Sequence, residues 1–167
     1  TRISDSIAER LLELTIQEAG VSPSRFCFMA LGSEGRGEQT LVTDQDNALI
    51  YGPPEGEPNE SLQKYFLRLG ERVSSGLNLA GYAFCSGEVM ARNPKWNRPL
   101  QDWKHYFRDW ITQANPQDLL EFNTFFDFRC IWGEWELARE LRGFIQSLIA
   151  EHPPFLLHFA QNALLYK

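Results

Sequence analysis

The segment GSEGRGEQTLVTDQD, from Gly32 to Asp46, lies between two short apolar runs, and this arrangement constrains the chain more than any other feature. The run before it, RFCFMALG, is rich in aromatics and reads as a buried strand; the run that starts at Asp46, DNALIY, reads as a second. Gly32 removes a side chain at the end of the first strand, and Ser33 can open a short helix whose free N–H groups point at an anion. Asp44 and Asp46 stand two apart at the entry to the second strand, so both side chains project from one face while Gln45 points away. Two carboxylates then share one spot, where their repulsion would raise one of the pKa values and Mg²⁺ would relieve the conflict. Taken singly, a Gly-Ser is most often a plain turn and a D-x-D a turn or cap. Together they bring an anion-binding turn and a cation-binding carboxylate pair to the same edge of one strand-turn-strand unit.

Helical spacing organises much of the remainder. Ile7, Leu11, Leu12 and Leu14 predict a helix from about Ser4 to Ala19, with Ser4 or Asp5 as N-cap and Gly20 placed to end it. PPEGEPNE reads as a surface loop, after which Leu62, Phe66, Leu69, Val73 and Leu77 mark one face of a helix. Gly81 turns the chain into YAFCS, a third strand candidate. From Leu100 onward the chain reads as all-helical: Leu100, Trp103, Phe107 and Trp110 follow the helical period, as do Leu137, Leu141, Ile145 and Leu148, and Asn115, Pro116 and Asp118 start a helix that runs into FFDFRC. The expected fold class is α+β, a small mixed sheet with helices over residues 1–98 followed by a helical bundle over residues 99–167.

A chain of 167 residues, 43% hydrophobic and 13% aromatic, can build a real core. Its apolar runs are far shorter than the roughly 20 residues needed to cross a bilayer. The amino terminus does not read as a signal peptide and lacks a starting Met, which points to a piece of a longer protein. A net charge of −6 argues against a long nucleic-acid groove, which would need many Lys and Arg, but leaves room for a small basic pocket. Cys27, Cys85 and Cys130 are odd in number, far apart and set among apolar residues, so buried free thiols and a reducing cytoplasm are expected. His105, His152 and His158 have no spacing that suggests a metal or a triad, and the tryptophans, among them Trp96, Trp103, Trp110, Trp132 and Trp135, are expected in packing roles.

Gly-Ser followed at this distance by D-x-D resembles the signature of the polymerase-β-type nucleotidyltransferases. The fuller GSEGRGEQTLVTDQDNALIY is similar to one branch of that superfamily, often found behind CBS or cyclic-nucleotide-binding domains and related to the PII-protein uridylyltransferases. The likeness continues through GYAFCSGEVMARNPKW and FFDFRCIWGEWELARELR, nearly the whole chain. It implies that Gly32 and Ser33 hold a nucleoside triphosphate, that Asp44 and Asp46 bind its Mg²⁺, and that Arg36 and Glu38 are the branch's G-R-x-E extension. The implied activity is transfer of a nucleoside monophosphate from an NTP to an acceptor hydroxyl, with two Mg²⁺ roughly 3.5 to 4 Å apart. A protein side chain as acceptor, and regulatory CBS or cyclic-nucleotide-binding domains in the full-length chain, are further implications.

Other charged residues leave alternatives open. Arg36 can offer paired donors to triphosphate oxygens, or form an ion pair with Glu34 or Glu38. Arg92, Lys95 and Arg98 form a local basic cluster that could meet the β- and γ-phosphates or be a solvated loop. Asp127 and Arg129 interrupt an apolar run, where an ion pair holding helices to the sheet unit is the first expectation. Glu88 is the only acid near the third strand candidate and is the candidate third carboxylate; its plain reading is a solvent-facing turn residue. Without a third acid, the rival reading is a nucleotide-binding sensor module that transfers nothing.

Overall fold

The computed structural model describes residues 3–38, 44–52, 59–113, 123–157 and 159. In chain order it contains α1 (Ile3–Ala19), β1 (Phe26–Leu31), the short α2 (Gly32–Arg36), β2 (Asn47–Tyr51), α3 (Asn59–Leu79), a 3-10 turn (Pro94–Trp96), β3 (Asn97–Pro99), α4 (Leu100–Gln113), β4 (Phe128–Gly133) and α5 (Trp135–Glu151). The strands form one mixed sheet in the order β3-β2-β1-β4. β1 pairs antiparallel with β2, from Phe26 opposite Tyr51 to Ala30 opposite Asn47, and antiparallel with β4 across a bulge at Phe28/Met29; β2 and β3 run parallel.

Alternation along the two central strands explains why they read as unbroken apolar runs. Phe26, Phe28, Leu49 and Tyr51 face a layer made by α1 and α3, where Ala8, Leu12, Leu62, Phe66, Leu69 and Val73 are buried. Cys27, Met29, Leu31, Ala48 and Ile50 face the opposite layer, made by α4 and α5 through residues such as Trp103, Phe107, Leu141 and Ile145. With helices on both faces, both sets of side chains are buried and largely apolar, and every residue of β1 and β2 is buried, including the hydrogen-bonded Asn47. The predicted helical faces at Leu62 to Leu77, Leu100 to Trp110 and Leu137 to Leu148 are all in these two cores.

Several local expectations are corrected. YAFCS does not form a strand: apart from an isolated parallel bridge between Ala83 and Asp44, it is loop and turn. FRC, expected to end a helix running from Pro116, instead begins β4 (FRCIWG) beside β1, so the second part of the chain supplies a strand of the sheet as well as helices. The run FNTFFDFRCIW is mostly apolar but interrupted at irregular intervals, and a run without a clear period does not separate a buried strand from a buried helix. Ser4 and Asp5 are not caps but buried residues of the first turn of α1. Asp5 instead receives both guanidinium nitrogens of Arg129, each at 3.1 Å. Trp135, expected in packing, is 53% exposed, with the Arg139 guanidinium 4.5 Å over its ring. The loop at PPEGEP, the helix start at Asn115 to Asp118 and the QTLVT stretch before Asp44 lie outside the described residues.

Candidate active site

The carboxyl end of β1 and the entry to β2 meet because the strands are antiparallel neighbours. The Leu31 amide donates to the Asp46 carbonyl at 2.9 Å, which sets Gly32, the next residue, beside the Asp46 side chain. Gly32 has φ +52 and opens α2; a Cβ there would stand 3.8 Å from Asp46 Oδ2 and 3.8 Å from Thr124 Cγ2. The backbone therefore lies against the carboxylate in a conformation that favours glycine. Ser33 follows in α2, whose carboxyl end closes through the left-handed Gly37.

The alternation expected of D-Q-D is present. Gln45 is buried, Asp46 is half-buried and Asp44 is exposed. The Gln45 side-chain amide donates to the carbonyls of Ser74 and Tyr82, both at 2.9 Å, while its backbone N–H donates to the Ala83 carbonyl at 2.9 Å. Asn47 N–H reaches the Val89 carbonyl at 3.1 Å, and Asn47 Oδ1 accepts from the Ala91 amide at 2.8 Å. The segment from Tyr82 to Ala91 is thus laced along residues 44–47, and this lacing delivers a residue that sequence reasoning placed only in the core.

Cys85 stands against the two acids. Ligand atoms of Asp44, Asp46 and Cys85 all lie within 4.8 Å of one another. Burial pushes the Asp46 carboxyl above its ordinary value and Asp44 adds to the rise, while a hydrogen bond with the Cys85 thiol pulls against it. The Cys85 thiol is itself raised, first by burial. A loop without a regular period holds no signal in its sequence that would have singled Cys85 out. Of the other cysteines, Cys27 is buried and Cys130 half-buried, both free thiols; Cys27 donates to the Phe28 carbonyl at 3.7 Å and Cys130 to the Trp132 carbonyl at 3.5 Å.

Glu88 is placed differently. It is exposed, has φ +55, and donates its amide to the Cys85 carbonyl at 3.0 Å in a tight turn; it is not a member of the Asp44–Asp46–Cys85 group. Arg36 donates to Glu38 at 2.9 Å and to Asp127 at 2.8 Å, so Asp127 and Arg129 do not pair with each other but clasp α2 and α1 respectively. Within the basic cluster, Arg92 meets Glu71 at 3.2 Å, Arg98 meets Asp102 at 2.6 Å, and the Lys95 ammonium lies 4.4 Å over the Trp96 ring.

A cleft of about 340 Å³ is lined by Gly87, Val89, Asn93, Lys95, Trp96, Thr124 and Phe125, the first two from the loop that carries Cys85. Thr124 lines the cleft, and its Cγ2 stands 3.8 Å from where a Cβ on Gly32 would be. Thr124 and Asn93 were not foreseen, since nothing in their local sequence marks them. No helix among the described residues is long and apolar enough to cross a membrane. Residues 1–117 match the family described as putative nucleotidyltransferase DUF294. No curated protein and no solved structure matches the chain.

Proposed function

The chain belongs to the family described as putative nucleotidyltransferase DUF294, and from that premise we propose that it moves a nucleoside monophosphate from an NTP to an acceptor hydroxyl at Asp44 and Asp46, with Mg²⁺ as cofactor. The observation that carries the reading is the Leu31–Asp46 backbone bond, which sets Gly32 beside the carboxylate pair. A backbone turn without a side chain stands beside a carboxylate pair, and Thr124, next to that turn, also lines a cleft large enough for a small molecule. The residues fit the ion: two hard oxygen donors stand side by side, and the like charge that raises Asp46 is what a cation relieves. Mg²⁺ bound there would supply neutralisation of the triphosphate and activation of the acceptor oxygen.

In this reading Gly32 and Ser33 take the phosphates close to the backbone at the start of α2, and Asn93 and Lys95 offer the polar lining of the cleft. Arg36 meets the triphosphate by exchanging one of its present acid partners for phosphate oxygens. In the transfer, the bond between the α-phosphorus and its bridging oxygen breaks, a bond to the acceptor oxygen forms, pyrophosphate leaves and the acceptor proton passes to water. The acceptor is proposed to be a protein side chain, with CBS or cyclic-nucleotide-binding domains in the full-length protein as regulators.

One observation favours the rival, a nucleotide sensor: the third member of the group is a thiol, and Glu88 stands in an exposed turn. The two readings part in a single experiment. The full-length protein is incubated with each α-labelled NTP, Mg²⁺ and a cell extract. A labelled acceptor that disappears with Asp46→Asn supports transfer, whereas tight NTP binding with no label transferred under any condition makes the protein a sensor.

A further inference from the structure

The third member of the group is chemically unlike the other two. Mg²⁺ binds oxygen and keeps several waters, and has little affinity for sulfur, whereas Zn²⁺, Co²⁺ and Cd²⁺ take thiolate readily. We propose that Cys85 makes the Asp44–Asp46 site a mixed oxygen–sulfur centre, at which a thiophilic divalent cation binds through both carboxylates and the Cys85 thiolate and competes with Mg²⁺ for the carboxylates. This rests on the cation-binding reading of Asp44 and Asp46 and deepens it by assigning which competing ions the site takes.

The position of Cys85 follows from the surrounding backbone. Ala83 is bridged to Asp44 and its carbonyl accepts from the Gln45 amide; the Val89 carbonyl accepts from the Asn47 amide; and the Glu88 amide closes the turn onto the Cys85 carbonyl at 3.0 Å. Hydrogen bonds before and after Cys85 thus fix it from both sides along the same residues that carry the acids. The side chain is only 8% exposed, yet its Sγ lies within 4.8 Å of a carboxylate oxygen of each acid. Zinc–sulfur and zinc–oxygen bonds of about 2.3 Å and about 2.0–2.2 Å place ligand atoms of one ion roughly 3.5 Å apart. Atoms now within 4.8 Å of one another reach that spacing by side-chain shifts on the order of 1 Å. As the sulfur–metal bond forms, the thiol proton leaves to solvent.

The test uses the full chain without nucleotide, and reads Co²⁺ by its thiolate-to-cobalt charge-transfer absorption and Mn²⁺ by paramagnetic resonance. Expected are a charge-transfer band at one Co²⁺ per chain and displacement of Mn²⁺ by Zn²⁺. Cys85→Ser should abolish the band, keep Mn²⁺ affinity within about threefold, and weaken Zn²⁺ by about tenfold or more; the retained Mn²⁺ site shows that this variant is folded. A Co²⁺ complex without the band in the parent protein, or a band that survives in Cys85→Ser, overturns the role of Cys85 while leaving the carboxylate site standing. Failure of the parent protein to bind either Mn²⁺ or Co²⁺ overturns both readings.

Discussion

The side-chain amide of Gln45 donates to the carbonyl of Tyr82 at 2.9 Å, and through this bond the residue between the two acids holds the loop that carries Cys85. The same nitrogen also reaches the Ser74 carbonyl of α3 at 2.9 Å. Gln45→Ala leaves both carbonyls without this donor, and each buried unpaired group costs about 1–3 kcal/mol. The expected result is a melting temperature lower by roughly 5–10 °C, measured by calorimetry. An unchanged melting temperature means that the loop is held by its backbone bonds alone.

Asp44→Asn and Asp46→Asn should each abolish Mg²⁺-dependent triphosphate binding and leave the fold intact. Asp46 has a folded-state pKa raised by burial and by Asp44, so its ionised form costs stability at neutral pH and that cost disappears on acidification. Asp46→Asn in metal-free buffer is therefore expected to melt at or slightly above the parent protein at pH 7. Equal Mg²⁺·NTP affinity in mutant and parent, by titration calorimetry, sinks the site assignment.

Arg36 is held by Asp127 and Glu38, and its side chain is 43% exposed. Exposed pairs of this kind contribute at most about 1 kcal/mol, so the guanidinium can be redirected at small cost. Arg36→Lys should weaken triphosphate more than nucleoside, and Asp127→Asn, which releases one competitor, should strengthen triphosphate binding. If neither change alters the affinity, Arg36 is a clasp between α2 and the start of β4.

Glu34 gives a pH dependence with a definite sign. Burial first, and then Asp5, raise its pKa from 4.5 to about 7, against the pull of Arg129 and Ser4. It lines an enclosed void of about 10 Å³ together with Ser4, Gln45, Asn47 and Tyr82. Because the folded state binds the proton more tightly, its contribution to stability is fully present below pH 4.5 and is lost as the pH rises to about 7. The loss is on the order of 3 kcal/mol. Glu34→Gln should flatten that part of the stability–pH curve measured by urea unfolding; an unchanged slope refutes the assignment.

Glu88 occupies a left-handed backbone conformation with φ +55. The strain for a residue with a side chain is about 1–2 kcal/mol, partly offset by the greater entropy that glycine loses on folding. Glu88→Gly is expected to be neutral or more stable by up to about 1 kcal/mol in denaturant unfolding, with NTP affinity unchanged. A hundredfold loss of transfer in Glu88→Gln, with affinity retained, restores it as the third acid.

Periodicity and backbone chemistry are local properties, and they were legible along the chain. The faces of α3, α4 and α5, the two central strands, the glycine at the turn and the outward pair of acids around an inward Gln45 all follow from spacings within one element. What required the tertiary structure was each fact that depends on two distant segments meeting. FRCIWG became a strand because β1 offered an edge to pair with, which outweighed a run whose composition suits helix or strand equally. Asp5 met Arg129, and Arg36 met Asp127, because β4 brought their partners from the far end of the sequence. Cys85 rather than Glu88 joined the carboxylates for the same reason. The backbone bonds from residues 44–47 to 82–91 fix which side chain of that loop faces the site, and a loop without a regular period carries no such information in its sequence.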